Sequence, residues 1–207
     1  TAGLVVAVLR QAGIEVAAGI GRTGVVGTLR GTAAAADRAI GLRADMDALA
    51  MTEATGLPWA STHPGRMHAC GHDGHTAMLL GAAVWLAAHR HRFAGTVRFV
   101  FQPAEESRGR ADAMIADGLF TRFPMQTIYG LHNLPGLPLG TIAVPRQRVL
   151  ASSDSWAVVF RGHGTHGAKP HLGTDAVLAA AAFVQAIQAI VARETDPLEP
   201  AVVSVGH

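Results

Sequence analysis

A chain of 207 residues that is 49% hydrophobic carries enough apolar material for a sizeable core and is not a disordered polypeptide. Its 17 basic and 15 acidic residues give a formal charge of +2, scattered along the chain, so no electrostatic footprint for nucleic acid is visible. The single cysteine, Cys70, excludes an intrachain disulfide, while no uninterrupted apolar run reaches the roughly 18 residues of a membrane span and Thr1 to Arg10 has no signal-peptide pattern. The expectation is a cytoplasmic protein that binds neither nucleic acid nor membrane.

In chain order, AGLVVAVLRQA (residues 2–12) predicts a helix ended by Gly13, and IEVAAGI and GVVGTLRG predict two short strands around turn glycines. AIGLR (39–43) predicts a third strand, which delivers Asp45 and Asp47 into a loop at its C-terminal end. HTAMLLGAAVWLAA (75–88) suits a buried helix. TVRFVFQP is β-rich and stops at Pro103, directly before Glu105 and Glu106. Ala111 to Ala116 predicts a short helix capped near Gly118, QTIYGLHNLPG a strand running into His132, and LGTIAV (139–144) another strand. The character then changes. SDSWAVVFRG (153–162) predicts a strand, GHGTHGAKPHLG a Gly/His loop, 174–193 a long Ala-rich helix with Asp175 near its start, and AVVSVGH a final strand. These elements divide the chain into an α/β domain over 1–148 and a second unit over 149–207, which looks incomplete because a strand, a helix and a strand cannot close a compact domain.

Eleven histidines is a high count for this length, and the chemistry concentrates around them. In MHACGHDGH (67–75), Cys70 and His72 are two apart with glycine between, so both side chains can turn toward one point. A thiolate and an imidazole suit Zn, Mn, Co or Ni, and a thiolate can bridge two ions. Asp73 could orient a ligand. A buried structural cysteine in a polar loop and a nucleophilic Cys/His pair are the rival readings. In PAEES, two glutamates follow an apolar strand, where one can ligate metal and the other serve as general base, although adjacent acids are also common in solvated turns. His132 in YGLHN ends a strand as a third possible ligand, and Asp45 and Asp47 in RADMDAL, on one side by period two, can hold a ligand histidine or cap a turn.

Together, RADMDAL, HACGHDGH, FQPAEE, GLHN and GHGTHGAKPHLGTDA resemble the co-catalytic metallopeptidase family that contains the bacterial aminoacylases, hippurate hydrolases and indole-acetyl-amino-acid hydrolases, over nearly the whole chain. The resemblance implies a zinc-peptidase-like catalytic domain, a mixed sheet flanked by helices, followed by a truncated α+β, ferredoxin-like lid and dimerisation domain. It implies two divalent ions, Mn or Zn first and Co or Ni compatible. Cys70 would bridge them, His72, Glu106 and His132 would ligate them, and Asp47 and Asp73 would support the ligands. Glu105 would be the general base that activates water and returns the proton to the leaving amine. His166 in GTHGAKPH would polarise the substrate carbonyl across a homodimer. The implied substrate is a small-molecule N-acyl amino acid or related amide.

The chain departs from the family's pattern in lacking a further ligating histidine that lies toward the family's C-terminus, in lacking the segment before the first helix, and in having Ala176 after Asp175 where proline is usual. It therefore reads as a fragment. Two other functions stay open from sequence: a cysteine hydrolase using Cys70, and a non-catalytic binding or dimerisation module that keeps the fold without turnover.

Overall fold

The structure is a computed structural model and describes residues 1–33, 36–106, 110–144, 146 and 150–206. They form two compact units, Thr1–Thr141 and Ile142–His207. The boundary expected between 148 and 149 lies outside the described residues.

In the first unit β1 (Glu15–Ile20), β2 (Gly24–Arg30), β3 (Ala39–Asp45), β4 (Thr96–Gln102) and β5 (Thr127–Gly130) make one mixed sheet in the order β1-β2-β4-β3-β5. Apolar residues at successive positions bury the central strands on both faces. Val25 and Leu29 of β2 and Val97, Phe99 and Phe101 of β4 face one layer, where they pack with Val5 and Leu9 of α1 (Ala2–Gln11) and Leu79 and Ala83 of α2 (His72–Ala88). Val26 and Val100 face the other, with Met114 of α3 (Arg110–Ala116) and Leu119 of α4 (Leu119–Arg122). Helices thus cover both faces, as expected of an α/β domain.

The pairings decide where a site can sit. β1 and β2 form an antiparallel hairpin, β2 pairs antiparallel with β4, and β3 runs parallel to both β4 and β5. The chain leaves β3 through α2 to β4 on one side and returns as β5 on the other. The C-terminal end of β3 is therefore the point where connections diverge, which in open α/β sheets leaves a crevice for ligands.

Several expected elements differ. Gly118, at φ 85°, separates α3 from the extra turn α4, which was not anticipated. β5 ends at Gly130, two residues before His132. Residues 139–144 form no ladder, and Leu139, Ile142 and Val144 stand exposed. A strand needs neighbouring N–H and C=O groups to pair with, and apolar sequence alone does not supply them.

The second unit centres on α5 (Ala176–Ala189), which continues as a π-helical turn, Ile190–Glu194. Asp175 caps it: its Oδ1 accepts from the backbone N–H groups of Val177 (2.9 Å) and Leu178 (3.0 Å). Trp156 and Phe160 lie against Phe183, with ring centroids 5.9 and 5.5 Å apart. The strands expected over 153–162 and 201–206 form no ladder among the described residues; His163 and Thr174 make one isolated antiparallel bridge. The expected ferredoxin-like arrangement is accordingly not formed by them. Ala176–Glu194 is long and apolar enough to cross a membrane by length and composition, with mean hydropathy 1.7, and 6% of it is buried. Gln185 and Gln188 interrupt the apolar run that the sequence criterion required but do not lower the average enough to fail it.

Candidate metal centre

The buried stripe of α2 runs His72, His75, Thr76, Leu79, Ala83, spacings of three and four that define one helix face. At its N-terminal end this face carries two imidazoles instead of apolar groups. Gly71, at φ 87°, caps the helix in a left-handed conformation that suits glycine, and Cys70 precedes it. The helix start faces the carboxyl ends of β3 and β4, where Asp45, Asp47 and Glu106 arrive. Thr76 Oγ1 donates to the Asp45 carbonyl (3.0 Å), tying helix to strand.

His72 is almost fully buried. Its Nδ1 is 3.1 Å from both the backbone carbonyl and Oδ1 of Asp47, two acceptors, so Nδ1 carries the proton and donates. Nε2 then keeps a lone pair, and it is a buried atom with no hydrogen-bond partner. A buried lone pair left unpaired is costly in protein and is what a metal ligand requires. The second Asp47 oxygen accepts from the Glu106 backbone N–H (3.1 Å), so one carboxylate positions two candidate ligands.

Ligand atoms of Cys70, His72 and Glu106 lie within 4.8 Å of one another, and so do those of Asp45, His72, His75 and His132. His132, exposed beyond β5, brings Nε2 to 3.6 Å from Cys70 Sγ. The four ligands expected from sequence therefore gather at one place, and their mixed N, O and S donors fit a divalent transition ion. Glu105 stands exposed beside Glu106, after Ala104 at φ 55°, a left-handed backbone unusual for a residue with a Cβ. Asp73 is exposed in the first turn of α2, where its charge favours the helix dipole. His166 lies in the second unit, exposed, with Nδ1 accepting from the Ala168 N–H (3.1 Å).

Burial, a hydrogen bond to Glu106 and the nearby charges of Glu106, Glu105 and Asp45 push the Cys70 thiol up to about 11. A cysteine nucleophile needs the opposite shift, since the thiolate is the reactive form. What keeps the thiol protonated is burial beside the Glu106, Glu105 and Asp45 carboxylates, and a bound metal deprotonates a coordinating thiol.

A model described as peptidase family M20/M25/M40 matches residues 41–207. The chain belongs to this family. This M20 chain is 46% identical over 206 residues to a hippurate hydrolase of Campylobacter jejuni, covering 100% of the chain and 53% of that protein. It is 41% identical over 198 residues to an N-acetyl-L-cysteine deacetylase of Bacillus subtilis, covering 96% and 47%. Among solved structures, a dinuclear metal-binding M20 peptidase from Bacillus subtilis is similar with TM-score 0.64 and 41% identity, over 69% of this chain and 39% of that one. A putative aminohydrolase from methicillin-resistant Staphylococcus aureus gives TM-score 0.72 and 32% identity, over 100% and 54%. The chain spans about half the length of the curated relatives it matches.

Two residues at the site, His75 and Asn133, were not singled out from sequence. His75 is buried, with Nδ1 2.6 Å from Asp45 Oδ1 and Nε2 within hydrogen-bond reach of Asn133, 3.0 Å from its backbone N and 2.5 Å from its Oδ1. The signals were present in the three-residue spacing from His72 and in the asparagine after His132, but either reads equally well as a core histidine and a turn residue. Asp45 is fully buried and accepts from His75 and, through Oδ2, from Arg43 (2.8 Å). Burial alone would raise its pKa, yet the His75 hydrogen bond and the charges of Arg43, His72 and His75 hold it below the ordinary value.

Proposed function

We propose that this chain carries the metal-binding half of a metal-dependent amidohydrolase that cleaves N-acyl amino acids or related small amides. One observation carries the reading: the buried Nε2 of His72, without a hydrogen-bond partner, in a cluster with Cys70 Sγ and a Glu106 carboxylate. Cys70, His72, Glu106 and His132 would hold two divalent ions, Mn or Zn. When bound, such ions lower the pKa of water and stabilise negative charge on a carbonyl oxygen.

The chain's own residues supply the rest. Asp47 fixes the His72 tautomer and holds the Glu106 backbone, and Asp73 stands at the start of the same helix. Glu105, exposed next to Glu106, would take a proton from the attacking water and return it to the leaving amine. In the second unit, His166 would belong to a lid and dimerisation domain expected from residue 149 and would polarise the substrate carbonyl of a partner protomer. The names of the similar proteins, a hippurate hydrolase and an N-acetyl-L-cysteine deacetylase, support acylated amino acids as the substrate class.

The test is metal content and turnover of a full-length protein carrying this sequence, dialysed under reducing conditions. Near two ions per chain and hydrolysis of acyl amino acids, both lost in Cys70→Ala and Glu106→Ala, are expected. A folded full-length protein that retains no divalent ion, or that hydrolyses acyl amino acids equally well in chelator, would overturn the reading.

A further inference from the structure

The four clustered groups Asp45, His72, His75 and His132 are not equivalent. His72 keeps a free nitrogen, but both nitrogens of His75 are used, one by Asp45 and one by the Asn133 N–H. Both Asp45 oxygens are likewise engaged, by His75 and by Arg43. His75 has no nitrogen to spare without breaking a buried hydrogen bond, and the two bonds to Asp45 hold its carboxylate in place. Asn133 meets His75 Nε2 a second time through its side-chain Oδ1, at 2.5 Å, so Nε2 is held by Asn133 whichever of the two atoms it bonds.

The bonds continue outward. Nδ1 of His132 lies 2.6 Å from the Asn133 carbonyl, an acceptor, so Nδ1 carries the proton and Nε2 presents its lone pair toward Cys70. The loop is also held sterically: a Cβ added at Gly71 would land on the Asn133 side-chain amide, so the loop after β5 rests directly on the helix cap. An unbroken series of contacts runs from Arg43 and Asp45 on β3, through His75 on α2, to Asn133 and His132.

We propose that His75 is a positioning residue: anchored by Asp45, it clamps Asn133 and thereby sets the tautomer and aim of His132. This rests on the metal reading above for its purpose, though not for its geometry. His132 is exposed and follows a four-residue edge strand, so its own packing does little to orient it. A ligand that must meet Cys70 from such a place needs support from the buried side.

Two conservative replacements separate this role from simple core filling. In His75→Asn the side-chain amide stands where Nδ1 was, keeping the Asp45 bond and losing the Asn133 bond. In His75→Gln it reaches where Nε2 was, keeping the Asn133 bond instead. The full-length protein would be followed by imidazole nitrogen NMR without metal and by titration with Co(II), whose absorption reports its ligands. The expected result is a mixed His132 tautomer and a fall of about 10- to 100-fold in Co(II) affinity for His75→Asn, with a near-native His132 signal for His75→Gln. Equal behaviour of the two variants, both native-like or both impaired alike, would overturn the clamp. Failure of the wild-type protein to take up Co(II) would instead remove the metal reading, while the tautomer comparison would still decide the clamp.

Discussion

The two units are built from similarly apolar sequence and end up in opposite physical states. In Thr1–Thr141, Phe99, Phe101, Val26 and Leu9 are fully buried between a sheet and two helical layers. In the second unit, Val177, Leu178, Leu198 and Val202 are exposed, and Ile187 is the buried hydrophobic residue among those described. Apolar composition gives a chain something to bury, but burial needs a second surface, and the sheet is what supplies it. The candidate metal ligands lie in the unit that has one. There, rigid strand ends and a helix start hold side chains against one another, whereas His166 sits on an exposed loop.

The largest effect that tests this contrast is on catalysis. Glu105→Gln in the full-length enzyme should lower kcat by about 10²- to 10⁴-fold, the usual contribution of a general base, with metal content unchanged. Loss of metal in that variant would show Glu105 to be a ligand instead. Next is the core beneath the site. Phe99→Ala should cost about 3–5 kcal/mol in denaturant unfolding, because a fully buried ring between layers leaves a cavity. An effect near zero would mean that the first unit is not organised around β4.

Asp47→Ala should weaken metal binding by about 10- to 100-fold in calorimetric titration, since it removes one of the two acceptors that hold the His72 Nδ1–H, the backbone carbonyl remaining, and the carboxylate that holds the Glu106 backbone. The smallest expected effect is in the second unit. Asp175→Ala removes two cap bonds and should cost about 1 kcal/mol, visible as faster hydrogen exchange in the first turn of α5, with metal binding unchanged. A change in metal affinity there would show that residues of the second unit contribute to metal binding.

Sequence patterning located β1 to β4, α1, α2 and α5 because each rests on a local signal: alternating or continuous apolar runs, glycine stops, a capping aspartate. It failed at 139–144, 153–162 and 201–206, which carry strand-like residues but form no ladder. Pairing is a relation between distant segments, and no window of sequence contains it. The same distinction holds within the site. Cys70, His72, Glu105, Glu106 and His132 were legible because glycine-spaced Cys and His and a carboxylate pair after a strand are unusual together. His75 and Asn133 were not, because a histidine one turn along a helix and an asparagine in a loop acquire meaning only when the fold brings them within hydrogen-bond distance.

What the sequence determined by itself was the list of donors and the family to which they point, since ligand chemistry is a property of residue type. The tertiary structure decided how those donors are used. Parallel pairing of β3 with β4 and β5 brings residues 45, 70, 106 and 132 to one sheet end. Burial then separates a histidine with a free nitrogen from one whose nitrogens are both engaged, a difference set by which hydrogen-bond partners remain once water is excluded.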